Sequence, residues 1–255
     1  MHIEFLGTAG YHPCEIRHTS CIYLPDATPR SAFLLDAGTG AFRLVGRDLP
    51  PRLHIWMSHA HLDHSVGLTF LLDILFGKTC DVTIYGTVPT LKAISQTIFA
   101  QPLFPVELRY QTCEIVPGES MEVDGVTVET FALTHPHPDG VLGFRFDFPP
   151  SSTRNATSLA YVTDTVGDEL YFDQIRGLDV LIHERNFANA LHEVAVFTGH
   201  CSSQDVAKVA REVHPRQLIL THFNPVPSGD PSLEDDFLRE FPDAIFASDR
   251  QIVEF

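Results

Sequence analysis

The chain has 255 residues, 44% hydrophobic and 20% charged, which is enough for a large buried core; length alone allows one or two domains, and a single domain spanning 1–255 is the expectation. A net charge of −16, with only three lysines and no basic run, disfavours long nucleic acid and anionic membrane as partners. No apolar run is long enough to span a bilayer, the N-terminus lacks a signal-peptide pattern, and the five scattered cysteines include no CxxC pair, so a cytoplasmic protein with reduced thiols is expected.

Short apolar runs recur from end to end. HIEFL (2–6), SAFLLD (31–36), LHIWM (53–57), DVTIYG (81–86) and VTVETFAL (126–133) read as strands. So do LGFRFDF (142–148), SLAYVTD (158–164), LDVLIHE (178–184), RQLILTH (216–222) and AIFAS (244–248). Helical patterns fall at 64–76, 88–100 and 202–213, and Ser202 with Asp205 makes a capping box for the last. The Pro- and Ser-rich stretches 148–157 and 224–232 read as loops rather than domain boundaries. Strands interspersed with helices indicate a layered α/β protein.

Five of these strands end in a histidine or an acid: at His59, at His135, at Asp164, at His183 with Glu184, and at His222. Ligands of open α/β sheets bind beyond the carboxyl ends of the strands, so these groups are placed to converge. Burying them together is costly unless a partner such as a metal satisfies them. The densest group is His59-Ala60-His61-Leu62-Asp63-His64. His59 and His61 are two apart and point the same way in extended chain, whereas Asp63 and His64 follow once the backbone turns toward a helix. That spacing suits two adjacent cations. Imidazole and carboxylate donors favour zinc, with manganese or iron as alternatives.

SHAHLDHSVG (58–67) resembles the signature of the metallo-β-lactamase superfamily, the dinuclear-metal αβ/βα hydrolases. FLLDAGTG (33–40), ALTHPHPDGVLGFRF (132–146), AYVTDT (160–165), LILTHF (218–223) and AIFASDRQIVEF (244–255) resemble the family's other motifs, in order. The resemblance implies a four-layered αβ/βα sandwich of two mixed sheets flanked by helices. It assigns His59, His61 and His135 to one divalent ion, Asp63, His64 and His222 to a second, and Asp164 to a bridge between them. Two such ions, zinc by preference, would supply a hydroxide from water of lowered pKa, with Asp63 orienting or deprotonating that water.

LIHERNF (181–187) and TGHCSSQDVAKVARE (198–212) resemble the L-x-H-E-A-T and G-H-S-T blocks of the ribonuclease Z branch. That likeness makes His200 the general acid for the leaving oxygen and Glu184 the carboxylate that orients it; without it, His200 reads as a neighbour of the helix cap. His183 falls on the opposite side of its strand and reads as structural. Trp56 and Phe70 read as core, and His137 as a loop residue.

The chain departs from that branch in places. Where the branch reads P-x-K-x-R-N, this chain has Pro13-Cys14-Glu15-Ile16-Arg17-His18, with an acid at the lysine position. Asn186 and Cys201 replace a threonine and a serine, and only 28 residues separate His135 from Asp164, too few for a tRNA-gripping arm. The expectation is therefore a phosphodiesterase acting on a small or cyclic phosphodiester, or on a short nucleotide end, with long nucleic acid disfavoured. A homodimer follows only by analogy. The alternatives are a tRNA 3′-processing endoribonuclease, an ester, thioester or lactone hydrolase on the same metals, and a non-catalytic accessory protein.

Overall fold

The apolar runs become strands of two mixed sheets, each of seven strands. The computed structural model describes residues 1–151, 155–226 and 235–255. Of the two stretches read as loops, 152–154 and 227–232 lie outside those residues. Residues 1–116 with 249–254 form one compact unit, and 117–248 form a second.

In the first unit the strands are β1 (His2–Gly7), β2 (Cys21–Thr28), β3 (Ser31–Leu35), β4 (Arg52–Trp56), β5 (Asp81–Gly86), β6 (Gln111–Glu114) and, from the chain's end, β14 (Ile252–Glu254). Their order is β14-β1-β2-β3-β4-β5-β6. Pairing is antiparallel from β14 to β3 and parallel from β3 to β6. Parallel neighbours need crossovers, and helical segments supply them. Between β4 and β5 run α1 (Leu62–Ser65), a 3₁₀ stretch (Val66–Phe70) and α2 (Leu71–Ile74). Between β5 and β6 run α3 (Val88–Ala93) and a π turn (Ile94–Ile98). Leu34, Leu53, Ile55 and Met57 of the sheet pack with Leu68, Leu71 and Ile74 in one buried cluster.

The second unit holds β7 (Ser120–Val123), β8 (Val126–Leu133), β9 (Val141–Phe148), β10 (Thr157–Val162), β11 (Val180–Glu184), β12 (Gln217–Thr221) and β13 (Ile245–Phe246). Pairing is antiparallel from β7 to β10 and parallel from β10 to β13. Helices α4 (His192–Thr198), α5 (Ser203–Val213) and α6 (Asp235–Glu240) belong to it. Val206, Val209, Ala210 and Val213 of α5 pack with Val162, Leu181 and Leu220 of the sheet. Two mixed sheets flanked by helices are the αβ/βα elements that the resemblance implies.

The differences from the sequence reading have local causes. The helix expected over 64–76 is broken by a 3₁₀ stretch at Gly67, where a Cβ would come within 2.0 Å of the Gly38 carbonyl oxygen. There the chain is pressed against the β3–β4 crossover and cannot wind freely. The 88–100 pattern ends its α-helix at Ala93 and continues as the π turn. β2 carries Pro25 and Asp26, which break its apolar run, and its pairing with β3 slips between Leu24 and Thr28. β6 and β7 are short, polar edge strands. Among the described residues no helix is long and apolar enough to cross a membrane.

Candidate metal and catalytic site

Both sheets put chemistry at the carboxyl ends of their strands. In the first unit β3 runs into Asp36, and β4 runs into Ser58 and His59. Ser58 donates from its backbone N–H to Asp36 Oδ1 at 2.8 Å, and its hydroxyl lies 2.8 Å from Asp36 Oδ2. His59 Nδ1 is 3.0 Å from the same hydroxyl, and His64 Nδ1 is 2.7 Å from Asp36 Oδ2. One buried carboxylate therefore orients two histidines, His64 directly and His59 through Ser58. The His61 ring meets that of His59 edge-on at 4.5 Å, and the rings of His59 and His64 are 4.4 Å apart. Asp63 Oδ2 accepts the Tyr11 N–H at 2.7 Å and lies 3.3 Å from His64 Nε2. All four residues of the sequence-predicted group thus meet in one place.

In the second unit β8 leads to His135, β10 to Asp164, β12 to His222, and β11 ends in Glu184. The ligand-type atoms of His135, Asp164 and His200 all lie within 4.8 Å of one another, as do those of Glu184, His200 and His222. His200 Nδ1 is 3.1 Å from Glu184 Oε2, while Oε1 accepts the Thr165 N–H at 2.6 Å. Glu184 is fully buried, so its carboxyl oxygens are met by these partners rather than by water. The capping box forms without His200: Ser202 N–H donates to Asp205 Oδ2 at 2.8 Å. His183 turns the other way. It is buried, with Nε2 3.0 Å from the Tyr171 hydroxyl, and burial holds its pKa below the usual value.

The donor set suits a divalent cation. A metal-binding histidine normally engages its other ring nitrogen with an oxygen, which fixes the tautomer and leaves a lone pair for the metal. His59, His64 and His135 all do this, His135 through Nδ1 at 2.9 Å from the Gly199 carbonyl. His222 differs: Asn186 Nδ2 lies 3.1 Å from its Nδ1 and also donates to its backbone carbonyl. Asn186 thus braces the ring on its Nδ1 side, and Nε2 faces the site, 3.3 Å from Asp164 Oδ2. Asn186 is one of the departures from the branch, and this is where it acts.

Asp36, Asp164 and His222 have positive φ (54°, 50° and 58°). Left-handed backbone is disfavoured for residues with a Cβ, and such outliers cluster at functional sites. Gly199 is needed for two reasons: its φ is 80°, and a Cβ there would come within 2.2 Å of Pro136 and 2.7 Å of His135 Nδ1. Cys201 donates from Sγ to the Thr165 carbonyl at 3.1 Å, and burial pushes its thiol well up. Its place is in the packing of the loop. The sequence reading missed Asp36, Ser58, Thr165 and Gly199. Asp36 alone carried a signal, because SAFLLD ends in an acid like the other site-forming strands.

Residues 31–223 match the β-lactamase superfamily domain, so the chain belongs to that superfamily, in its metal-dependent form. It is a metal-dependent hydrolase acting on phosphodiester bonds, and divalent metal ions belong to its fold. Its relatives lie in the ribonuclease Z branch. A Ribonuclease Z of Parasynechococcus marenigrum is 29% identical over 307 aligned positions, covering 98% of this chain and 96% of that protein. The alignment is longer than the chain, so the relative carries insertions that are absent here. The short form of human tRNase Z superposes with a TM-score of 0.77 at 24% identity, covering 100% of this chain and 99% of that one. YhfI of Bacillus subtilis, a metallo-β-lactamase fold protein, gives 0.78 at 17% identity, covering 100% and 98%. At these identities the two structures speak for the fold alone.

One expectation is corrected. Long nucleic acid was disfavoured on net charge and Glu15, yet enzymes named for acting on RNA align with almost the whole chain. The physical reason is that −16 is a whole-molecule sum, while charges more than about 8 Å apart are largely screened at physiological salt. Locally the balance differs. In the first unit burial depresses the His18 pKa, and Arg43 and Arg250 depress it further against the opposing charge of Asp249. Arg17, one residue away, donates to the Thr8 hydroxyl. Arg43 is itself paired with Asp249 at 2.7 Å, so the arginine of this loop that can meet phosphate, whatever the distant surface carries, is Arg17.

Proposed function

We propose that both sets of residues serve one dinuclear metal centre in a single catalytic domain, and that the enzyme cleaves RNA near a 3′ end, the ribonuclease Z reaction type. His59, His61 and His135 would hold one ion, Asp63, His64 and His222 the other, with Asp164 bridging and zinc the preferred metal. When bound, such ions lower the pKa of water and offset the charge on the phosphate. Asp63 orients the attacking water, fixed in place by the Tyr11 N–H. His200 protonates the leaving oxygen, and Glu184 holds the imidazole so that Nδ1–H points at carboxylate. A cytoplasmic location fits this role.

The observation that carries the reading is the Glu184–His200 pair beside Asp164. Expelling an alkoxide from phosphorus calls for a proton donor, whereas acyl transfer to a metal-activated water does not. A second reading, hydrolysis of a small or cyclic phosphodiester, is favoured by exposed Glu15 in the N-terminal loop. The test is turnover by metal-reconstituted protein of precursor transfer RNA, cyclic nucleotides, other cyclic phosphates, dinucleotides and a lactone. Cleavage of the RNA at its 3′ side supports the first reading and cyclic phosphates alone the second. Lactone turnover without any phosphodiester cleavage overturns both.

A further inference from the structure

The loop from Ala9 to Thr19 closes on itself through the Ala9–Thr19 bridge, with Ala9 N–H donating to the His18 carbonyl and Cys14 N–H to the Arg17 carbonyl. Near its start Tyr11 combines three properties that conflict unless the ring has work to do. Its φ is +62°, a backbone state that glycine takes freely and a bulky aromatic avoids. It is 78% exposed, so burial of the ring does not offset that disadvantage. Its N–H, meanwhile, donates to Asp63 Oδ2 at 2.7 Å, fixing the residue at the metal motif. Glycine would supply the same N–H and the same φ without strain. The ring is what glycine lacks. His12 stands beside it, exposed, with the two rings edge to face at 5.0 Å, which limits how Tyr11 can lie.

We infer that Tyr11 is a stacking platform for a nucleobase flanking the scissile phosphate, making it the residue that selects nucleotides over base-free phosphodiesters. Aromatic rings bind bases by stacking irrespective of sequence, because every base offers a π-face. Asp63, on which the Tyr11 amide is anchored, belongs to the group assigned to the phosphate chemistry, so the ring is carried by a residue bonded directly to that group. Arg17 of the same loop adds a positive charge, whereas Arg43 is paired with Asp249 at 2.7 Å. The inference rests on the phosphodiesterase reading and adds the substrate feature that the metals cannot distinguish.

The experiment compares a dinucleotide phosphodiester with its abasic counterpart, using metal-loaded wild type, Tyr11→Ala, Tyr11→Gly and Tyr11→Phe. Losing one base–aromatic stack corresponds to roughly 5- to 150-fold. The preference for the base-bearing substrate in kcat/KM is expected to fall by that factor in Tyr11→Ala and Tyr11→Gly, through KM, and to survive in Tyr11→Phe. Tyr11→Gly keeps the amide and relieves the backbone, so it separates the ring from the loop. An undiminished preference in Tyr11→Gly, or equal losses on both substrates, overturns the inference. Binding of adenosine monophosphate against ribose 5-phosphate gives a readout that needs no turnover. Equal wild-type affinities for the two sink the platform, whereas a preference that Tyr11→Ala abolishes supports it even if phosphodiester cleavage is not found.

Discussion

The first unit concentrates its site and the second disperses it. Four groups from six consecutive residues, His59 to His64, make up the first, and one carboxylate, Asp36, steers two of them, His64 directly and His59 through Ser58. Five groups in the second, His135, Asp164, Glu184, His200 and His222, come from five separate loops and strand ends, and each has its own support: Gly199, Thr163, Thr165, Glu184 and Asn186. A contiguous motif can share a single anchor because the backbone fixes its spacing. A dispersed one needs an anchor for every member. Damage should therefore spread in the first unit and stay local in the second.

The largest effect tests the dispersed side. His200→Ala should lower kcat by about 10²- to 10⁴-fold on an alkoxide leaving group and far less on an activated nitrophenyl phosphodiester, with metal content retained. Equal losses on both substrates would remove His200 from proton transfer. Asp36→Ala should then cost roughly 10- to 100-fold in metal affinity or activity, read by metal analysis and competition with a chelator. It should shift both His59 and His64 in NMR spectra, since both depend on that carboxylate; movement of His64 alone would break the idea of a shared anchor. Gly199→Ala should perturb His135 with smaller loss elsewhere in the second unit, visible as weakened metal retention and a lowered Tm.

The smallest effects concern pH and thiols. Burial keeps His183 neutral, so below its unfolded pKa of about 6.5 the unfolded chain takes up a proton that the folded chain refuses. Stability is intact above that value and falls as pH drops below it, by at most about 1.4 kcal/mol per pH unit. His183→Phe should flatten that part of the curve in urea titrations from pH 7 to pH 5. Each unit also holds one buried thiol pushed well up, Cys21 in the first and Cys201 in the second. Native protein should be alkylated at Cys14, Cys113 and, more slowly, Cys80, whose pKa is raised to about 11, before either buried thiol reacts. Mass spectrometry of labelling under increasing urea would show which unit opens first.

The same contrast explains what the sequence disclosed. Polar density in His59–His64 is legible without an alignment, because no core strand ends in that way by chance. Strand-end polarity made His135, Asp164, Glu184 and His222 visible, and His200 emerged only through its likeness to a branch motif. The anchors were hidden for a physical reason: Ser58, Thr165 and Gly199 act through backbone groups or a hydroxyl, and those residue types are common everywhere. The fold followed from the apolar runs except at β2, β6, β7 and β14, where proline or a short, exposed edge removed the pattern.

The left-handed backbone at Asp36, Asp164 and His222 has a consequence for how this protein can change. At each of these positions glycine would relieve the main chain while deleting a group the chemistry requires. Asp36→Gly, Asp164→Gly and His222→Gly variants should therefore be poor enzymes yet lose less stability in the metal-free state than the corresponding alanine variants. Selection for a sturdier fold and selection for turnover push on the same three φ angles in opposite directions. A lineage released from catalysis would be expected to drift toward glycine at these three sites first.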